Sequence, residues 1–104
     1  MSIKGSPYAR FKRALELGDL ALVRLAAAEL PQVNLDDALT ICCLMAKRGS
    51  PAFGRAAVRW TARWILERPD VGLDGARRAL ALFDAMPEEP DATRAALKRL
   101  ATVP

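Results

Sequence analysis

The breaks constrain this chain more than any single run of residues does. Gly18, Pro31, Gly49, Pro69 and Pro87 divide 104 residues into six segments dominated by Ala and Leu. Unbranched side chains lose little rotamer freedom on a helix. No stretch alternates with the period of two that a half-buried strand needs. The expected fold is all-α: about six helices forming three antiparallel hairpins, arranged as a right-handed α-solenoid-like stack or as a compact helical bundle. A chain of this length is expected to be one domain, residues 1–104, with a core large enough to stand without staples.

Local chemistry places the helix ends. Ser6-Pro7 reads as an N-cap followed by Pro at the first helical position. That helix carries Tyr8, Phe11, Ala14 and Leu15 on one face and stops at Gly18. Asp19 caps a second helix, Leu20 to about Leu30, ended by Pro31. A third starts at Asn34 or Asp36 and stops at Gly49, with Lys47 and Arg48 at its negative end. Ser50-Pro51 repeats the Ser-Pro signal and opens a fourth, to about Arg68. A fifth runs from Leu73 or Asp74 to Met86, and a sixth from Glu88, Glu89 and Pro90 to about Val103.

One phrase occurs twice. "ELPQVNLDDA" (residues 29–38) returns 38 positions later as "ERPDVGLDGA" (residues 67–76), identical at six of ten places. Both copies span the end of an even helix, a break, and the start of an odd helix. Pro31 and Pro69 stop the outgoing helix, Leu35 and Leu73 begin the next apolar face, and Asp36 and Asp74 meet its positive end. Three hairpin units are expected, about 1–33, 34–71 and 72–104.

In a stack, the middle unit has neighbours on both sides, so its helices should be apolar around most of their circumference. On the fourth helix Phe53, Ala56, Ala57, Trp60 and Trp64 share one face. Val58, Thr61, Ala62 and Ile65 widen the arc, leaving Arg55, Arg59 and Arg63 as the polar strip. The third helix keeps only a narrow seam of Asp36, Thr40 and Lys47. The first and sixth turn Arg10, Lys12, Arg13 and Glu16, and Asp91, Arg94, Lys98 and Arg99, toward water.

"GDLALVRLAA" supplies Asp19, Val23, Arg24 and Ala27; "RAAVRWTA" supplies Val58, Arg59 and Ala62 without the turn Asp. "PDATRAAL" supplies Asp91 and Arg94, with Thr93 in place of Val. In these respects the chain resembles short α-solenoids of the HEAT or armadillo kind. "ALELGDLALVRLAA" is also similar to the helix pair of an ankyrin unit, although that family's Thr-Pro-Leu-His start is absent. The resemblance implies a scaffold that binds other macromolecules.

Catalysis is not expected. The chain has no histidine, and no phosphate-cradling Gly-rich loop or metal-ligand spacing appears. Most acidic residues stand at helix starts, where capping and the dipole account for them. Cys42 and Cys43 are adjacent, pointing about 100° apart on a helix, and read as small buried apolar residues. No cofactor is expected. The N-terminal "MSIKGSPYARFKR" has no apolar signal core, and no run is long enough to span a membrane. The expected setting is cytoplasmic.

The net charge of +4 is too small to establish nucleic-acid binding. The expected role is a protein-protein interaction or adaptor module. A recognition strip of Arg24, Arg55, Arg59, Arg63 and Arg94 suits an acidic peptide or phosphate backbone, since guanidinium forks match carboxylate and phosphate. For this strip to cross all three units, the even helices must line one side of the array. A small DNA- or RNA-binding protein using the fourth-helix arginines is the alternative. Homo-oligomerisation through exposed Leu80, Leu82, Phe83 or Tyr8 is a further option. Trp60 and Trp64 are expected in the core, with one indole edging a groove if the array is loosely closed.

Overall fold

A computed structural model describes residues 6–102. Six α-helices, with no strand among the described residues, follow in order: α1 (Pro7–Leu17), α2 (Leu20–Ala27), α3 (Leu35–Arg48), α4 (Phe53–Glu67), α5 (Gly72–Ala85) and α6 (Pro90–Thr102). The all-α expectation is met. The expected end of the sixth helix at Val103 lies outside the described residues.

Caps set most of the boundaries. The Ser6 hydroxyl accepts from the Ala9 N–H and Asp19 from that of Leu22, so α1 and α2 start where expected. Asn34, rather than Asp36, caps α3: its side-chain oxygen accepts from the Asp37 N–H at 2.8 Å. Gly49 closes α3 in the left-handed region at φ 63°, and the Ser50 N–H donates back to the Met45 carbonyl. This is the Schellman arrangement, which only glycine enters without steric cost.

Two ends differ from expectation. α2 stops at Ala27, not Leu30; the Glu29 and Leu30 N–H groups bond three residues back instead of four. Pro31 disfavours the helical conformation in the residue before it, so the last turn tightens. The second Ser-Pro does not cap its helix. Ser50 closes α3 through its backbone N–H, and its hydroxyl accepts from the Ala52 N–H within the turn rather than from the first turn of α4. α4 therefore opens at Phe53 without a side-chain cap.

The helix pairings decide the architecture. α3 packs on α4 and α6, and α5 packs on the same two, so α3–α6 close into a four-helix ring. Its core gathers Leu39, Cys42, Trp60, Trp64, Phe83, Met86 and Leu97. Phe83 meets Trp60 edge-on, with centroids 5.6 Å apart, and meets Phe53 in the same manner at 6.2 Å. Such geometry suits the ring quadrupoles. The α1–α2 hairpin has its own smaller cluster, Phe11, Ala14, Leu15 and Val23, completed by Ile41 and Leu44 of α3. α3 thus belongs to the ring and also packs against the hairpin.

α4 packs on α3 and α5, but both cover the same side of it. Because α6 returns to α3, the ring covers one face of α4 and leaves the other in solvent. Val58 is 58% exposed and Leu66 80%, and Ala62 between them is exposed as well. The arc expected to bury Val58 and Ala62 is therefore narrower. The repeated phrase also takes two paths. Asn34 is extended, whereas its counterpart Gly72 follows a 3-10 turn (Pro69–Val71) with φ 65° and ψ −165°. Leu35 packs against the core, while Leu73 is 68% exposed.

A candidate docking groove on α2, α3 and α4

An apolar floor and a charged rim converge where α2, α3 and α4 face one another. α3 contributes Ala38, Ile41, Cys42 and Met45, spaced as one helix face. The turn before α4 contributes Ala52, and α4 contributes Ala56 and the edge of Trp60. Small side chains at Ala38, Cys42, Ala52 and Ala56 leave the space between the helices unfilled. The result is an open trough of about 380 Å³. Its wall is fixed, since the Trp60 indole N–H donates to the Leu35 carbonyl at 2.8 Å.

Four arginines stand around it: Arg24 from α2, and Arg55, Arg59 and Arg63 one turn apart on α4. They are not equivalent. Arg63 donates through Nη1 to the Val33 carbonyl, and its Nε lies 2.9 Å from Glu67. It ties the α2–α3 connection to α4. Among the described residues, Arg24, Arg55 and Arg59 take no hydrogen bond or ion pair. Each is exposed.

Arg94, the fifth arginine of the expected strip, is not there. α6 packs against α3 and α5, and Arg94 stands near Cys43, Lys47 and Asp91, where its charge favours the Cys43 thiolate and the Asp91 carboxylate. The even helices do not line one side, so the strip cannot run across all three hairpins.

Burial disfavours both thiols as nucleophiles. Burial, with the neighbouring Cys43 adding to it, pushes the Cys42 thiol up to about 12. Burial also raises Cys43, whose Sγ donates to the Pro90 carbonyl at 3.5 Å. A thiol held protonated is a poor nucleophile and a poor metal ligand. Both cysteines are free, and no group of three or more His, Cys, Asp or Glu among the described residues is placed to hold a metal.

The residues expected to drive self-association separate. Phe83 is buried in the ring core, and the Tyr8 hydroxyl donates to Asp37. Leu82 lines a shallower groove between α5 and α6 with Ala81, Ala96 and Leu100, flanked by Arg78 and Arg99. Leu80 is the most exposed of the three α5 residues. Trp60 combines both roles foreseen for the indoles, buried in the core and edging the groove.

Reading the sequence alone missed the α3 side of the trough. The signal was present as Ala38, Ile41, Cys42 and Met45 at helical spacing, but a greasy helix looks the same whether a neighbour covers that face or not. Among the described residues, no helix is long and apolar enough to cross a membrane. No protein-family model, curated protein or solved structure matches the chain.

Proposed function

We propose that this chain is a non-catalytic protein-interaction module whose docking surface is the α2–α3–α4 groove. The observation that carries the reading is the trough itself: an apolar floor beside Arg24, Arg55 and Arg59, none with a partner among the described residues. Apolar area supplies binding energy, and charged rims select the partner and speed encounter. We place its work in the cytoplasm, where free thiols such as Cys42 and Cys43 stay reduced.

Nucleic-acid binding is the rival reading, favoured by Arg55 and Arg59 standing one turn apart on an exposed helix face. An apolar trough beside them weighs against it, because a sugar-phosphate backbone gains nothing from covering Ile41 and Met45. Photo-crosslinking in extract of the native cell tests the choice. A crosslinking amino acid replacing Ala56 should yield a discrete protein adduct that Arg55→Glu with Arg59→Glu removes. A nucleic-acid adduct at that position, or the same adducts from a probe at Asp84, would refute the reading.

A further inference from the structure

We infer that the occupant of the groove is an acidic amphipathic helix of another protein; this rests on the interaction-module reading above. The trough has the form of a helix seat. Its floor follows one face of α3 from Ala38 to Met45, and one rim follows α4 from Arg55 to Arg63. Eight residues of helix rise about 12 Å, so the rim accommodates two turns of a partner helix lying alongside. Apolar side chains at i, i+3 or i+4, and i+7 of the partner would enter between the small residues Ala38, Cys42 and Ala56. Met45 offers a floor that adapts its shape to them.

Charge decides the sign of the partner. Arg55 and Arg59 are about 6 Å apart along the α4 axis, which matches carboxylates at i and i+4 on one edge of the partner's apolar stripe. Arg24 on the facing rim takes a carboxylate from the other edge. Arg63, held by Val33 and Glu67, contributes framework rather than recognition. A second copy of this chain is disfavoured, since each copy carries a net charge of +4. Its own acidic residues do not form such a stripe: Asp74 and Asp84 on α5 flank Arg77 and Arg78, and Asp91 on α6 is paired with Lys47.

Selection of a displayed library of random 16-residue peptides on the full chain tests the inference. Enriched peptides should place Leu, Ile or Phe at i, i+3 or i+4, and i+7 with flanking Asp or Glu, and should gain helical circular dichroism on binding. Their methyl shifts should map to Ala38, Ile41 and Met45. Arg55→Glu with Arg59→Glu should lower affinity at least tenfold, and swapping the peptide's carboxylates for Lys should restore it. Both arginines are exposed and unpaired, so the fold should persist; Arg55→Ala with Arg59→Ala gives the same test without reversed charge. Groove-bound peptides that are extended, Pro-rich or lacking acidic residues would overturn the acidic helix and leave the interaction module standing. If no peptide reaches the groove methyls and single-stranded DNA shifts them in a salt-sensitive way, both readings fail.

Discussion

The Lys12 ammonium of α1 lies 3.0 Å from the Asp37 carboxylate of α3, which is only 2% exposed. The Tyr8 hydroxyl donates to the other oxygen of the same carboxylate at 2.9 Å. Asp37 also stands in the first turn of α3, where the helix dipole favours a negative charge. The three side chains latch the α1–α2 hairpin to α3 beside the apolar contacts of Ile41 and Leu44.

Removing the latch should loosen the hairpin before the ring. Asp37→Ala is expected to cost about 1–3 kcal/mol, the usual range for losing hydrogen bonds to a charged group. Amide hydrogen exchange should speed up in α1 and α2 and change little in α5 and α6. Uniform acceleration across all six helices would show that hairpin and ring unfold as one unit.

Arg63 and Arg55 should behave oppositely despite lying on one strip. Arg63→Ala removes the clip on the Val33 carbonyl and is expected to destabilise by about 1 kcal/mol. Arg55→Ala touches no partner and should stay within about 0.5 kcal/mol in urea denaturation.

Trp60→Ala should be among the most damaging changes. The ring is 4% exposed, stacks beside Trp64 and bonds the Leu35 carbonyl. Loss of such a side chain is expected to cost about 3–5 kcal/mol. Chemical denaturation measures it directly, and a change below about 1 kcal/mol would contradict the packing described.

Glycine replacements should split by position. A Cβ on Gly75 would run into the Val71 side chain and come within 3.4 Å of the Trp64 ring. Val71 is branched at the clash, so it cannot swing clear cheaply. Gly75→Ala is expected to destabilise by about 1–3 kcal/mol, although alanine is the better helix former. Gly54→Ala, with nothing within 4 Å, should instead gain up to about 1 kcal/mol.

Stability should fall on the alkaline side. The Cys42 thiol is raised from 9.0 to about 12 by burial, so its contribution is complete below pH 9 and is lost as pH rises toward 12. Hydrogen bonding to Asp37 and Asp91 holds the Lys12 and Lys47 ammonium groups above their usual 10.5. Their contributions are likewise present below that value and lost above it. The urea midpoint should decline from about pH 9 upward, and Cys42→Ala should flatten the first part of the decline. The native chain should also resist thiol reagents at pH 8 that label it once unfolded.

Helix ends were legible residue by residue because capping acts over a few bonds. Ser6, Asp19, Asn34 and Gly49 terminate backbone that would otherwise leave donors or acceptors unpaired, and their side chains reach no farther than the next turn. Even the failure at Ser50 is local: its hydroxyl takes the Ala52 N–H within the turn, and α4 begins one residue later. The apolar period likewise marks Phe11, Ala14, Trp60 and Trp64 as inward, and all four are buried. What no period reports is which neighbour arrives to cover a face. Val58 and Ala62 stay exposed and Arg94 parts from Arg59 because α6 returns to α3 and closes the ring, while Asp37 becomes a buried latch because Tyr8 and Lys12 of α1 reach it. That closure depends on contacts between residues far apart in the chain, and the groove exists only as the space it leaves uncovered.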